Sequence, residues 1–292
     1  MGTEVHVLLP GRSAGCVAPV RRLFLDWEAT LSRFRPSSEL VALNSRAGSP
    51  VVVSELLFQV VCEALDAAVA TAGAFDPTLL HSQHRIGYDR SFDEMSETSG
   101  GPRSLSSSGG AWRLIRLDPA ARIVELPPEC ALDVGGIAKG MAVDAALGLL
   151  ASRDVDAALV SAGGDLAVRG LPGGGEPWRV AVGEHEDQVV PLTRGALATS
   201  GIARRSWRQG ALSRHHILDP ETGEPAESGI HEVTVAAATC AQAEVAATAA
   251  FVLGRDRGTE LLRRHELAGR FTTPEGSYAY VGAWPTPRPV AA

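Results

Sequence analysis

Lys139 is the only lysine in this 292-residue chain. Apart from the histidines, all other basic residues are arginines. It lies in ALDVGGIAKGMAVD, residues 131–144, where a strand-like ALDV run meets two glycines and a helical pattern. Glycines at a strand-to-helix turn let backbone amides approach an anion, and a helix N-terminus adds partial positive charge. Because an ammonium is a compact point charge, the segment predicts a phosphate site that Lys139 reaches. The alternative is a plain glycine turn with Lys139 on a solvated face.

A second candidate site lies in CAQAEVAATAAFVLG, residues 240–254. Glu244 and Thr248 are four residues apart and therefore share one face of a predicted helix. One carboxylate and one hydroxyl, with backbone carbonyls nearby, are typical ligands of a hard cation such as Mg²⁺. The alternative is that Glu244 only complements the helix dipole and that Thr248 only packs.

A third candidate site lies near HHILDPETG, residues 215–223. The DPETG stretch predicts a turn that presents His216 and Asp219 on a rim, where they could form a general base and its partner. Adjacent histidines point to opposite faces of a strand, so at most one of the two faces a site. A surface loop with both histidines satisfied by backbone carbonyls is the alternative.

Two earlier segments combine turn residues with one aromatic and one acidic residue. They are FRPSSELVALN, residues 34–44, and GAFDPTLL, residues 73–80. Phe34 and Phe75 are typical core residues, and Asp76 with the following Pro-Thr is typical of a helix-capping turn. Alternatively, each segment presents an aromatic face and a carboxylate to a ring-shaped ligand.

An irregular mixture of strands and helices must position these segments. Alternating patterns predict strands at residues 4–9, 112–117, 123–126, 157–160, 166–169, 179–182 and 233–237, and helical periodicity predicts helices at 17–33, 54–72, 138–152, 240–253 and 256–265. Turn residues at 118–121 and 163–165 predict antiparallel hairpins. The sequence therefore predicts an α+β fold with mixed or antiparallel sheets and packed helices.

Composition narrows the classes of partner. The net charge is −7 and the arginines are scattered among acidic residues, so nucleic acid is not expected as a partner. The four cysteines lack metal-finger spacing and indicate thiols in a reducing compartment. We find no secretory signal or bilayer-spanning run, and expect a cytoplasmic protein without membrane insertion. Residues 1–285 are predicted to form one domain, with a flexible insertion at 93–110 and a tail at 286–292.

Taken in order, these segments resemble the ApbE family, the FAD:protein FMN transferases. The matching pieces are MGT (1–3), SRFRPSSELVALN (32–44), GAFDPT (73–78), LDVGGIAKGMAVD (132–144), LVSAGGDLAVRG (159–170), ATSGIARRSW (198–207), HILDPETGEP (216–225) and VTVAAATCAQAEVAATAAFVLG (233–254). The resemblance spans nearly the whole chain and implies a two-lobed single domain of the ApbE type.

The resemblance also implies specific ligands. FAD would be contacted by Met1, Phe34, Ala74, Phe75, Asp76, Asp133, Lys139 and Ile217. Mg²⁺ would be held by the carbonyls of Gly136 and Ala241 and by the side chains of Glu244 and Thr248. The family usually has aspartate where this chain has Glu244. The extra methylene could shift the metal position or the choice of metal.

The activity that the resemblance implies is Mg²⁺-dependent cleavage of FAD. A threonine hydroxyl of an acceptor protein would attack the FMN-side phosphorus, AMP would leave, and FMN would stay on the acceptor through a phosphoester. Lys139 would hold the diphosphate, and His216 with Asp219 is the candidate for deprotonating the hydroxyl. Two alternatives are a metal-dependent FAD pyrophosphatase that yields FMN and AMP, and a non-catalytic FAD-binding or carrier protein.

Overall fold

The computed structural model describes residues 3–10, 14–95, 109–173, 175–183, 188–203, 205–210 and 212–285. The chain divides into two compact units. The first unit comprises Leu25–Ala138 and residues 205–227, and the second comprises Thr3–Phe24, Lys139–Ala203 and residues 228–285. Met1, the 286–292 tail and most of the 93–110 insertion lie outside the described residues, so what the sequence indicates for these three segments stays a prediction, as does the 1–285 boundary.

The described elements are six helices, three short 3-10 turns and fourteen strands. The helices are α1 (Val17–Leu31), α2 (Glu39–Asn44), α3 (Glu55–Ala70), α4 (Leu80–Arg85), α5 (Ala138–Ala151) and α6 (Cys240–Arg264), and the 3-10 turns are Ala14–Cys16, Phe92–Glu94 and Ala111–Leu114. The strands are β1 (Val5–Leu8), β2 (Pro50–Val52), β3 (Arg116–Asp118), β4 (Ile123–Glu125), β5 (Ala158–Ala162), β6 (Asp165–Arg169), β7 (Trp178–Val182), β8 (Gln188–Leu192), β9 (Gly195–Gly201), β10 (Ser206–Gln209), β11 (Leu212–His215), β12 (Glu232–Ala237), β13 (Ala268–Thr272) and β14 (Tyr278–Val281).

A seven-stranded antiparallel sheet forms the frame of the second unit. Its strand order is β1-β5-β6-β9-β12-β13-β14. All five residues of β5 are buried, as expected for a strand covered on both faces. The β7–β8 hairpin instead alternates buried and less buried residues. Its inward side chains, among them Trp178 and Val190, join one apolar cluster with Val168 and Leu197 of the large sheet.

The first unit contains two small sheets, β2-β4-β3 and β10-β11. Ser54 is the N-cap of helix α3, and its side chain accepts a hydrogen bond from the amide of Leu57. A buried cluster connects the residues that flank α4 to β10 and to the segment after β11. Its fully buried members are Leu79, Ile86, Tyr88, Trp207 and Leu218.

Helix α6 carries the second predicted site and is defined at both its start and its middle. The Thr239 side chain caps its first turn by accepting from the amide of Gln242. Gly254 interrupts it with φ 73°, ψ −177°, a backbone conformation open to glycine and costly for other residues. This break separates the two helices that the sequence predicted at 240–253 and 256–265.

Most sequence predictions of structure are confirmed. The α+β class holds, every strand pairing among the described residues is antiparallel, and both predicted hairpins form, as β3–β4 and β5–β6. The predicted strand at 112–117 is wrong in its first half, because residues 112–114 belong to a 3-10 turn. Within the described ranges, no helix has both the length and the apolarity to span a bilayer.

The predicted ALDV strand is also wrong. Residues 131–134 pair with no strand. The Asn44 side chain donates to the Leu132 carbonyl at 2.9 Å and accepts from the Leu132 amide at 2.8 Å, and the Asp133 amide donates to the Pro77 carbonyl at 2.8 Å. A side chain and a turn therefore replace the sheet partner that the extended pattern suggested.

Candidate active site

Lys139 lies between two buried carboxylates in the second unit. Its side chain is 15% exposed, and its Nζ lies 3.0 Å from Asp165 Oδ2 and forms a second ion pair with Glu244. Asp165, the first residue of β6, also accepts a hydrogen bond from the Thr199 amide at 3.1 Å. The alternative that Lys139 sits on a solvated face is therefore wrong. The ammonium is fixed in place by charge on two sides.

Glu244 is the most deeply buried acid of this cluster, with 3% of its surface exposed. Its Oε2 accepts a hydrogen bond from the Gly140 amide at 2.7 Å, while Oε1 pairs with Lys139. Burial raises the pKa of Glu244 to about 7, Asp165 adds to the rise, and the Lys139 charge opposes it. A buried carboxylate of this kind is stable as an anion only next to a cation.

The other predicted metal ligands on α6 lie in the same unit. Ala241 is the second residue of the helix, and its amide donates to Asp144 Oδ2 at 2.9 Å. Its carbonyl belongs to the helical hydrogen-bond ladder, so a cation would use the second lone pair of that oxygen. Thr248 Oγ1 lies 2.9 Å from Ser200 Oγ on β9. Within the described ranges, no group of three His, Cys, Asp or Glu side chains could hold a metal. A cation here would therefore rely on mixed oxygen donors.

Three backbone amides of the glycine turn before α5 donate hydrogen bonds within the turn itself. The Gly135 amide donates to Asp133 Oδ1 at 2.9 Å, and the amides of Ile137 and Ala138 donate to the Val134 carbonyl at 3.1 and 2.9 Å. These three amides therefore have partners within the turn, and phosphate binding by the glycine turn stays a prediction. Lys139 is left as the positive group of this segment.

Gly136, the remaining predicted metal ligand, belongs to the first unit. A Cβ at this position would lie 3.0 Å from Cε2 of the Phe75 ring, so glycine permits a close ring contact here. The same glycine therefore has a packing function in the first unit, and its carbonyl as a cation ligand stays a prediction.

Phe34 belongs to an aromatic and cationic cluster in the first unit. The guanidinium carbon of Arg33 lies 4.2 Å from the ring centroid of Phe34 and 4.4 Å from that of Tyr88. Tyr88 in turn packs on Trp207, with their ring centroids 5.4 Å apart. Arg33 and Phe34 line a cavity of about 300 Å³, together with Pro36, Val41, Asp89, Arg90, Ser91 and Glu94. An aromatic face with a cation beside it suits a flat conjugated ring.

Asp133 connects this cluster to the glycine turn. Its Oδ2 lies 3.4 Å from Arg33 Nε, and Arg33 Nη1 donates to the Tyr88 carbonyl at 2.9 Å. Since Oδ1 accepts from Gly135, both carboxylate oxygens already have partners in the protein. The structure thus brings the predicted flavin contacts Phe34 and Asp133 together through Arg33, which sequence reasoning missed.

The Asp76 carboxylate organises the turn at residues 76–78, called the DPT turn below. Its Oδ1 accepts from the amide and the hydroxyl of Thr78 at 2.7 and 2.5 Å, and its Oδ2 accepts from the Gly110 amide at 2.5 Å. The adjacent Gly109 amide donates to the Pro220 carbonyl at 2.7 Å. The last residues of the predicted insertion therefore connect the DPT turn to the HILDP turn at residues 216–220 by hydrogen bonds. The helix-capping alternative for Asp76 is wrong, because α4 begins only at Leu80 and has no side-chain cap.

Ala74 and Phe75 precede this turn in a fixed backbone conformation. The Ala74 amide donates to the Thr71 carbonyl at 3.1 Å, and the Phe75 amide donates to Thr71 Oγ1 at 3.1 Å. The Phe75 ring is 4% exposed, as the core alternative expected. Its contact with Gly136 places it beside the glycine turn.

His216 and Asp219 lie in the turn that follows β11, as predicted. Asp219 Oδ1 accepts from the Glu221 amide at 2.8 Å, and the Asp219 carbonyl accepts from the Gly223 amide at 2.7 Å. Ile217 is buried, and its carbonyl accepts from the Ala226 amide at 3.0 Å. Asp219 thus shapes the turn itself. Its pairing with His216 as a catalytic dyad stays a prediction.

Besides Arg33, sequence reasoning missed three polar residues that hold predicted site residues in place: Asp165, Asp144 and Asn44. All three were inside recognised segments; the available signal was an acid shortly after the only lysine for Asp144 and an acid at the predicted 163–165 turn for Asp165. Nothing local marks Asn44, because its partner Leu132 is 88 residues away. Met1, the last predicted flavin contact, lies outside the described residues.

Comparison with known proteins defines the class. The ApbE family model matches residues 1–271. A FAD:protein FMN transferase of Treponema pallidum is 34% identical over 89% of this chain and 75% of its own length. The crystal structure of the ApbE protein of Thermotoga maritima superposes with a TM-score of 0.85 at 26% identity and covers 96% of this chain and 94% of that chain.

A flavin transferase ApbE from Vibrio cholerae superposes with a TM-score of 0.81 at 25% identity, again over 96% of this chain and 94% of that chain. The shared architecture is thus an α+β fold of the flavin-transferase type. The chain belongs to the ApbE family.

Proposed function

We propose that this protein transfers the FMN part of FAD to an acceptor protein. The observation that carries the proposal is the buried Lys139–Glu244–Asp165 cluster, built from three motifs of a family whose named members are FAD:protein FMN transferases. The Lys139 ammonium, held in place by two carboxylates, can bind a diphosphate at a defined position. The aromatic and cationic cluster around Phe34 supplies a complementary surface for a flat ring.

The reaction is a phosphoryl transfer with FAD as substrate. A hydroxyl oxygen of the acceptor, which we propose to be a threonine, bonds to the FMN-side phosphorus. The bond between that phosphorus and the bridging oxygen breaks, and AMP leaves with the bridging oxygen and its electron pair. The hydroxyl proton passes to a base, for which we propose His216. The product is FMN joined to the acceptor by a phosphoester.

Lys139 contributes charge to this reaction. Because its Nζ is 3.0 Å from Asp165 and also pairs with Glu244, the Lys139 side chain is held in one orientation. We propose that it holds the diphosphate and stabilises the negative charge on the non-bridging phosphate oxygens as the bond breaks. In phosphoryl transfer, such positioning and charge stabilisation carry most of the rate enhancement.

We propose that Glu244, Thr248 and the Ala241 carbonyl hold Mg²⁺, with the Gly136 carbonyl as the family's further ligand. The donor set fits a hard cation, because all four are oxygens. The burial of Glu244 fits as well, since a buried carboxylate needs a cation beside it and this one already pairs with the Lys139 ammonium. When bound, Mg²⁺ neutralises charge on the phosphate oxygens. Both Glu244 oxygens have partners in the protein, so Mg²⁺ binding would replace one of these two contacts.

One incubation tests the activity. FAD and Mg²⁺ are mixed with the protein and with an acceptor that exposes a single threonine, and flavin fluorescence of the denatured acceptor and released AMP are measured. We expect covalent flavin and AMP in equal amounts, and neither with the Thr→Ala acceptor. Free FMN with AMP would identify a pyrophosphatase, and unchanged FAD would identify a binding protein. Either result would refute the transferase proposal.

We also propose a cytoplasmic location. All four cysteines are free thiols, two of them buried, as is typical of proteins from reducing compartments. Burial raises the pKa of Cys130 to about 12, so this thiol stays protonated and inert. Fractionation of cells that express the protein tests the location, and recovery in an oxidising compartment would refute it.

A further inference from the structure

Helix α5 holds the first turn of α6 by side-chain and backbone contacts. Asp144, in the second turn of α5, accepts from the amide of Cys240 through Oδ1 at 2.8 Å and from the amide of Ala241 through Oδ2 at 2.9 Å. The Gly140 amide, one turn earlier, donates to Glu244 Oε2 at 2.7 Å. These contacts join segments that are about 100 residues apart in sequence and fix where α6 begins.

Gly140 allows the two helices to approach closely. A Cβ at this position would lie 2.6 Å from the Ala241 nitrogen and 2.7 Å from both the Ala241 Cα and the Cys240 carbonyl carbon. Backbone atoms cannot move aside as the end of a flexible side chain can. Any residue larger than glycine at position 140 would therefore push the first turn of α6 away from α5.

The amides at a helix start have no partner within the helix and need an external acceptor. In α6 the local cap Thr239 takes the amide of Gln242 at 3.2 Å, and Asp144 takes the two amides before it. Local sequence therefore satisfies one of these three donors, and a distant carboxylate satisfies two. An ordinary N-cap would fix the helix only to its own chain segment, whereas this arrangement fixes it to the helix that carries Lys139.

We infer that Asp144 is a positioning residue for the cation site. It acts through the first turn of α6, holding the backbone of Ala241 and the carboxylate of Glu244 at the distance from Lys139 that the site requires. The inference rests on the proposed function, because it assumes that these oxygens bind Mg²⁺. Asp144 itself has both oxygens on backbone amides and needs no contact with substrate or metal.

The test measures metal affinity without turnover. Asp144→Asn keeps the shape but places an amide donor against one of the two backbone donors, so one hydrogen bond is lost. Mn²⁺ replaces Mg²⁺ as the probe, and its binding to the purified full chain is followed by electron paramagnetic resonance. We expect affinity to fall about 10- to 100-fold, the usual effect of losing a residue that orients metal ligands. Gly140→Ala displaces the same turn through a clash with its backbone and is expected to lower the Mn²⁺ affinity to a similar extent.

Asp118→Asn is the matched control. Asp118 also accepts from two backbone amides, those of Ala120 and Ala121 at 3.0 and 3.2 Å, but both bonds are to Oδ1, which asparagine retains, and the residue lies on the exposed β3–β4 hairpin. It should leave Mn²⁺ affinity unchanged. Circular dichroism and gel filtration give the folded fraction, so a loss of stability alone is distinguished from a loss of affinity.

The outcomes separate the inference from the proposal on which it rests. If the unmodified chain binds no Mn²⁺, both the metal part of the proposed function and the inference fail. If the unmodified chain binds and Glu244→Gln does not, while folded Asp144→Asn and Gly140→Ala bind as tightly as the unmodified chain, only the positioning inference fails. Should Asp144→Asn not fold, the Gly140→Ala affinity decides alone.

Discussion

Replacing Asp76 by asparagine is expected to loosen the DPT turn. Asparagine retains Oδ1 and with it the two contacts to Thr78, but its amide group would face the Gly110 amide that Asp76 Oδ2 now accepts at 2.5 Å. One hydrogen bond to a charged acceptor is lost, which costs about 1.5–3 kcal/mol. Because Asp76 is only 9% exposed, water cannot fully replace that bond.

Two measurements check this expectation. Urea unfolding should show the free energy of unfolding of Asp76→Asn lowered by about 1.5–3 kcal/mol. Hydrogen exchange of the Gly110 amide should accelerate roughly 10- to 100-fold, since about 1.4 kcal/mol corresponds to a factor of ten. Asp118→Asn on the exposed hairpin is the control and should change stability by less than about 0.5 kcal/mol.

The result that would refute this reasoning is specific. The resemblance to the ApbE family placed Asp76 in contact with FAD, whereas the structure commits its carboxylate to three hydrogen bonds within the protein. If Asp76→Asn leaves stability and Gly110 exchange unchanged but weakens FAD binding tenfold or more, Asp76 is a ligand group and the anchoring role is wrong.

Three further predictions concern the charged residues. Lys139→Gln should lower the rate of AMP release about 100-fold or more, measured by chromatography, and Lys139→Arg should not restore it because a planar guanidinium does not replace a point charge. His216→Ala should abolish transfer while FAD still binds by fluorescence titration; intact transfer would remove His216 from the reaction. Burial raises the pKa of Glu244 from its ordinary 4.5 to about 7, so in this window the folded protein keeps a proton that the unfolded chain has lost. The stability of the metal-free protein relative to Glu244→Gln should therefore fall by at most about 1.4 kcal/mol per pH unit as the pH rises through this window. A flat difference in urea unfolding across the same window would show that Glu244 is ionised throughout.

Local sequence was a good guide to the individual elements. The helices α1, α3 and α5 and the hairpins β3–β4 and β5–β6 follow from periodicity and turn residues that act within a few positions. The prediction failed where a distant group decided the conformation. ALDV has the pattern of a strand, but Asn44 and Pro77 take its backbone hydrogen bonds.

The candidate site shows the same difference between what local sequence predicts and what distant contacts decide. The sequence by itself determined which residue types are available: one lysine, a glutamate and a threonine four apart on a helix, an aromatic residue at position 34, and a histidine before a DPETG turn. These predictions depend on composition and short spacing, and the family resemblance rests on the same motifs.

Only the tertiary structure decided what those residues touch. Lys139 meets Asp165 and Glu244, Asp144 reaches α6 across 96 residues, and the glycine-turn amides bind their own turn. Sequence spacing carries no information about such contacts, because they arise when the sheet and helices of the second unit bring distant segments within about 3 Å of each other. The motifs therefore identified the candidate residues, and long-range packing determined their charge, their hydrogen-bond and ion-pair partners, and their role.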